Sequence, residues 1–221
     1  MHINYYGLSC FKITAKTEGR GSEDVVIFFS PYGKNTGLRP PQSNADIVLL
    51  SHDDEMFNES DSFRGEPLVL DTPGEYAAKG VNIIGMDTSA DPRGGEDRGN
   101  TVVFSLDVEG MKVVHLGAIG SEPSEKVFDL IIGADILFLP IGDLAGIDGK
   151  TAETIARKVE PKVIIPMQYN LKGLKKFKEL RDESDFCSNI GNCPKKGEDK
   201  LVIKKKDIEN RVMEVVKLNV S

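Results

Sequence analysis

Two patterns predict an α/β protein built from mixed sheets with helices outside. The first half of the 221-residue chain is a series of short runs rich in Val, Ile, Phe and Tyr, each bounded by Gly, Pro, Asn or Asp, which is the punctuation of strands. The second half alternates apolar strand-like runs with segments of helical spacing, and this order packs as mixed sheets covered by helices. A third observation, 39% hydrophobic residues in a chain of this length, is enough for one well-buried core, so residues 1–221 are read as a single domain.

The strands expected in the first half cover 3–6, 11–15, 25–29, 47–50, 68–70, 81–84, 101–106 and 112–115. The last two flank Asp107-Val108-Glu109-Gly110, where glycine makes positive φ cheap, and so predict a hairpin. Ser121-Glu122-Pro123-Ser124 opens a helix running to about 132, with Ser as cap and Pro in the first turn. A strand at 136–139 ends at Pro140; Ile155 and Val159, four apart, place a helix over 150–159; 163–165 is a strand stopped by Pro166. A further helix is expected over 171–180, and strands near 201–204 and 212–218. The stretch 85–100 contains DPRGGEDRG and is expected to be a mobile loop.

A net charge of −7 and a pI near 5.1 repel nucleic acid and anionic membrane surfaces, so neither is expected as a partner. Lys172, Lys175, Lys176 and Lys178, with Lys204, Lys205 and Lys206, read as a solvated helix face and a strand end. The opening MHINYYGLSCFKI has neither the basic segment nor the apolar core of a secretion signal, and no apolar run approaches the ~20 residues that span a bilayer. A cytoplasmic protein is the expectation. Of the three cysteines, Cys187 and Cys193 are close in CSNIGNC, a gap too loose for a zinc knuckle without a second pair. Reduced thiols are the favoured reading, with a disulfide as the alternative for an oxidising or thermophilic host. Cys10 has no base visible in the sequence and reads as an inert thiol.

The stretch LLSHDDEMFN, residues 49–58, ends an apolar run in a histidine and three acids. Asp53, Asp54 and Glu55 suit a hard cation such as Mg²⁺ or Ca²⁺. Acids also favour the first turn of a helix, where they meet its dipole, and helix-start chemistry is the favoured reading.

Seven segments, in order, carry a resemblance: YYGLSCFKI (5–13), VIFFSPY (26–32), ADIVLLSHDD (45–54), DTPGEYAAKGVNIIG (71–85), GNTVVFSLDVEGMKVVHLGAIG (99–120), ADILFLPIG (134–142) and PKVIIPMQY (161–169). Together they resemble the metallo-β-lactamase superfamily, in particular its small stand-alone domains related to the L-ascorbate-6-phosphate lactonases. The resemblance implies a four-layer αββα sandwich of two mixed β-sheets flanked by helices, with the site along the edge where strand ends and loops of both sheets meet.

In that family an HxHxDH loop, plus a His, an Asp and a last His from later loops, holds one or two divalent ions whose bound water becomes hydroxide near neutral pH. By position, His52 matches the first histidine of the loop. The second falls on Asp54, the loop aspartate on Met56 and the third histidine on Phe57. The later positions fall on Ser89 or Ala90, on Ala118 and on Gln168, and the aspartate of a DP pair falls on Ser30. Met56 and Phe57 form an apolar plug where an ion would sit.

Three functions are compatible with these residues. The favoured expectation is a protein that keeps the fold, has lost the metal ligands and binds no cofactor. Such a protein is not a working metal-dependent hydrolase and holds a small ligand or protein partner in the remnant cleft. The alternative is a hydrolase of a lactone, phosphoester or similar small substrate, with an atypical mononuclear Zn or Mn site from His52 and Asp54, joined by Asp53 or Glu55. The third is a scaffold or oligomer subunit, with oligomeric state open. His52 is expected to hydrogen-bond nearby backbone and His115 to be packed at a strand end. Glu75 is expected to order a turn, and Arg93 and Arg98 to be surface charges.

Overall fold

The protein is described by a computed structural model over residues 1–17 and 23–221. Its strands are β1 (His2–Gly7), β2 (Cys10–Lys16), β3 (Asp24–Phe29), β4 (Ile47–Leu49), β5 (Leu68–Leu70), β6 (Gly74–Ala78), β7 (Val81–Ser89), β8 (Asn100–Val108), β9 (Met111–His115), β10 (Ile136–Pro140), β11 (Val163–Met167), β12 (Leu201–Val202) and β13 (Glu214–Val215). They form a six-stranded sheet in the order β12-β1-β2-β3-β4-β5 and a seven-stranded sheet in the order β13-β11-β10-β9-β8-β7-β6. Both are mixed: β1 to β3 and β6 to β9 run antiparallel, while β3 to β5 and β9 to β11 are parallel. The expected α/β fold of two mixed sheets is present.

Alternation along the strands decides which face is core. Ile27, Phe29, Ile47 and Leu49 of the first sheet face the second, and the sheets meet in a ring cluster: Phe11 lies 4.2 Å from Phe138, and Phe29 stacks on His115 at 4.8 Å between centroids. Outside the second sheet lie α1 (Glu125–Ile131) and α2 (Gly149–Val159), with α3 (Ser184–Ile190) packed on α2. α2 starts where Asp148 accepts the Thr151 N–H at 2.8 Å, buries Ala152, Ile155, Ala156 and Val159, and stops at Glu160 in the left-handed region before Pro161. α1 begins at Glu125 with Ser124 as a cap that makes no side-chain bond. A single-turn helix, α4 (Lys205–Ile208), follows β12.

The first sheet is covered differently. Its outer side chains Phe28, Val48 and Leu50 pack under Tyr32, Ala45, Met56, Phe57 and Leu180, which come from turns. The helix expected over 171–180 is not formed. Gly173 at φ +103° and Phe177 at φ +59° each reverse the chain, and Leu174 and Leu180 bond back three residues, so the apolar spacing is met by turns that press hydrophobes onto the sheet.

Two hairpins frame the second sheet. Glu109 and Gly110, at φ +52° and +69°, make the tight turn expected between β8 and β9. Lys79 and Gly80, at φ +51° and +75°, do the same between β7 and β6, an edge strand that the sequence reading had omitted. β7 is nine residues long and takes up the first part of the stretch expected as a loop. Residues 90–99 are ordered by Asp91, whose buried carboxylate accepts four backbone N–H groups, from Arg93, Gly95, Asp97 and Arg98, at 2.8 to 3.1 Å. Cys187 and Cys193 are joined in a disulfide with Cα atoms 5.2 Å apart, against the expectation of free thiols. Helix α3 and its left-handed C-cap Gly191 bring the two within bonding distance, which spacing alone did not show. Cys10 is free and buried, and burial pushes its thiol pKa well up.

Candidate functional site

β5 ends at Leu70 on the edge of the first sheet, and β6 starts at Gly74 on the edge of the second, so Asp71-Thr72-Pro73 crosses the gap between them. On one side β4 runs into Ser51, whose carbonyl accepts the Val102 N–H at 2.7 Å and the Thr101 hydroxyl at 2.8 Å. These bonds stitch the end of β4 to the start of β8. The mouth that results is a cavity of about 330 Å³ whose polar lining includes His52, Asp53, Asn58, Asp71, Asp87 and Asn100.

His52 supplies the imidazole of this lining. Its Nδ1 lies 2.9 Å from the Asn100 carbonyl oxygen. A carbonyl only accepts, so Nδ1 carries the hydrogen and Nε2 is the basic nitrogen. Nε2 has no hydrogen-bond partner among the described residues. The Phe57 ring stands edge-on to the imidazole at 5.6 Å and limits its rotation. Asn100 also donates from its side chain to Asp87, while Asn58 donates to Asp53 at 2.9 Å, so both amides orient carboxylates around the cavity.

The other expected positions are committed elsewhere. Asp54 accepts the Met56 N–H at 3.0 Å and its carbonyl accepts the Phe57 N–H at 2.8 Å, forming a closed turn. No helix follows, so the acids do not begin one. Glu55 pairs with Lys176, which holds its carboxyl below the usual range. Met56 and Phe57 are fully buried. The Ser30 hydroxyl is 2.7 Å from that of Ser51. Ser89 contributes its carbonyl to the Gly120 N–H at 3.0 Å, and Ala90 is buried. Ala118 gives its N–H to the Thr101 hydroxyl at 3.0 Å. Gln168 donates its amide to Ser9 and to the Gly117 carbonyl at 2.7 and 2.6 Å.

His115 is sealed. Gly117 donates its N–H to Nδ1 at 3.1 Å, so the hydrogen is on Nε2, which donates to the Ser9 carbonyl at 3.0 Å. Burial drives its pKa down to about 4, against a smaller opposing effect of the Ser9 bond. Glu75 lies on the edge strand β6. Arg93 pairs with Asp97, and Arg98 reaches the Leu144 carbonyl at 3.2 Å, tying the 90–99 loop to the one between β10 and α2.

The superfamily's metal positions do not fit an ion in this chain. Met56, Phe57 and Ala118 offer no donor atom, the Gln168 amide nitrogen is used as a donor, and Asp54 is turned to backbone. Among the described residues no three His, Cys, Asp or Glu side chains are grouped to hold a metal. The sequence reading missed Asn58, Asp71, Asp87, Asn100 and Asp91. Asp87 and Asn100 meet only when β7 and β8 pair; Asn58, bonded to Asp53 five residues away, and Asp71 lie in loops, and Asp91 had a local signal, an acid before Pro and two glycines.

A family model described as a beta-lactamase superfamily domain matches residues 2–168. Among curated proteins, a metal-dependent hydrolase of Methanoregula boonei is 28% identical over 77% of this chain and 82% of its own length. A metal-dependent hydrolase of Methanosphaera stadtmanae is 26% identical, covering 86% and 91%. Among solved structures, a Thermotoga maritima protein described as a candidate Zn-dependent hydrolase of the metallo-β-lactamase superfamily aligns with a TM-score of 0.74 and 28% identity over 99% of both chains. A metallo hydrolase of Ignicoccus hospitalis, at 18% identity and a TM-score of 0.62 over 92% of this chain and 99% of its own, shares the fold. These relatives correct the favoured functional expectation. Lost ligand positions were read as lost hydrolysis, whereas the proteins that match most of this chain are named hydrolases. Among the described residues no helix is long and apolar enough to cross a membrane.

Proposed function

The chain belongs to the beta-lactamase superfamily, and on that premise we propose that it is a hydrolase of a small ester-like substrate bound in the His52 cleft. The observation that carries the reading is the His52 ring: Nδ1–H fixed on the Asn100 carbonyl, and Nε2 without a partner among the described residues at the wall of a cavity of about 330 Å³. An imidazole held this way is suited to general-base work. Nε2 takes a proton from water as the water oxygen bonds to the acyl carbon; the ester C–O bond then breaks, and the same proton passes to the departing oxygen.

Among the described residues the cavity lining carries Asp53, Asp71 and Asp87 and no Lys or Arg. That field opposes anionic substrates, which favours a lactone or other uncharged ester over a phosphoester. The relatives are named metal-dependent, but the donor set at these positions in this chain does not fit an ion. The test is turnover of a panel of lactones and phosphoesters by the full chain, chelated and with Zn²⁺ or Mn²⁺ supplied. Uncharged lactones are expected to turn over and His52→Gln to slow their turnover by roughly 10²- to 10⁴-fold; no turnover under any of these conditions rejects the proposal.

A further inference from the structure

The buried polar groups behind the cleft form a closed ring. Gln168 follows β11 of the second sheet in the left-handed region at φ +55°, and its N–H donates to the Leu8 carbonyl in the β1–β2 turn of the first sheet at 2.8 Å. Its side-chain amide crosses the gap to Ser9 Oγ in that turn and, on its own sheet, reaches the Gly117 carbonyl after β9. The Ser9 carbonyl accepts from His115 Nε2, and His115 Nδ1 accepts the Gly117 N–H, which closes the loop of four residues. Ser9, His115 and Gln168 are all buried. From there Ala118 and Thr101 carry the bonding on to Ser51, the residue before His52.

We propose that Gln168 does by hydrogen bonding what the resemblance assigns to a metal at this position: it clamps the two sheets together at the mouth, so that the geometry of the mouth needs no ion. A carboxamide is well suited to the position. One nitrogen supplies two hydrogens to two acceptors on different sheets, a carboxylate can donate to neither, and an alanine leaves both without their donor. Gly117 completes the fit, because a Cβ there would sit 2.7 Å from Thr101 Oγ1 and 2.8 Å from the Val102 carbonyl. The clamp holds whatever substrate the cleft takes.

Thermal unfolding of the full chain tests it. Wild type is expected to unfold at the same temperature, within about 1 °C, in EDTA and with one equivalent of Zn²⁺ or Mn²⁺. Gln168→Ala is expected to lower the midpoint by about 5 to 10 °C, since two buried acceptors lose their donor. Ser9→Ala removes one acceptor and is expected to cost about 2 to 5 °C, so it serves if Gln168→Ala does not fold. Where both fold, the double variant is expected to lose less than the sum of the two. A wild-type midpoint that falls in EDTA, or rises by about 5 °C or more with one equivalent of zinc, overturns the proposal. So does an unchanged midpoint in Ser9→Ala or strict additivity in the double variant.

Discussion

His52 and His115 begin alike and end differently. Each lies at the end of an apolar strand, each is buried, and each gives a ring N–H to a backbone carbonyl. The difference is the second nitrogen. In His115 it accepts the Gly117 N–H inside the core, and the ring packs between Phe29, Phe11 and Phe138. In His52 it has no partner among the described residues and the ring lines a cavity. A histidine with both nitrogens used contributes structure; one with a nitrogen unpaired at a cavity wall offers the basic site that the proposed hydrolysis uses.

The largest expected effect comes from testing that contrast directly. His52→Gln is expected to cut turnover by roughly 10²- to 10⁴-fold, the usual share of general acid–base catalysis, while the unfolding midpoint stays close to wild type. A midpoint that falls as far as turnover would make His52 a structural residue like His115 and erase the comparison.

His115 supplies the converse. Its folded pKa, near 4, lies below the ordinary 6.5, so the folded state holds it neutral and unfolding takes up a proton between those values. The stability tied to neutrality is therefore fully present above about pH 6.5 and lost as pH falls toward 4, about 3 kcal/mol in all. Denaturant titrations from pH 7 to pH 4 are expected to show this loss, and His115→Gln to flatten the slope over that interval. An unchanged slope in the variant would assign the acid sensitivity to other groups.

Reducing the Cys187–Cys193 disulfide bears on neither histidine. Its short loop stands for about 2 kcal/mol on loop-entropy grounds. Reductant is expected to lower the unfolding midpoint by a few degrees and leave turnover unchanged; a loss of turnover would extend the functional region to α3.

The smallest effect is local. Burial raises the pKa of Asp91, but the N–H groups of Arg98, Arg93 and Gly95 and the charge of Arg93 outweigh it, so the carboxyl titrates below its usual range. Its contribution is thus present above the ordinary carboxylate pKa and lost only as pH falls through the lowered one. Asp91→Ala is expected to speed amide exchange at Arg93, Gly95, Asp97 and Arg98 without a comparable change in β9. Unchanged exchange would show that the 90–99 loop holds itself.

Much of the fold was legible because strand and turn signals are local. The hairpin at Glu109-Gly110, the helix carrying Ile155 and Val159 and the run of early strands follow from turn chemistry and spacing. The segment 171–180 misled because an apolar residue every third or fourth position suits a helix and equally suits turns pressed on a sheet, and only the neighbouring sheet face chooses. The site was half legible. His52 stood out, while Asn100 and Asp87 are ordinary strand residues until β7 and β8 pair and bring them to the same mouth.

By itself the sequence determined the alternation that makes two sheets, the family resemblance, and the chemical identity of the groups at the positions the resemblance assigns to metal ligands, among them a histidine, an acid, two hydrophobes, an alanine and a carboxamide. Tertiary structure alone decided what those groups do. A hydrogen bond between the β1–β2 turn and the end of β11 joins residues 159 apart, and no local propensity encodes such a distance. The same packing that closes Gln168 onto Ser9 and Gly117 leaves one nitrogen of His52 facing the cavity without a partner among the described residues.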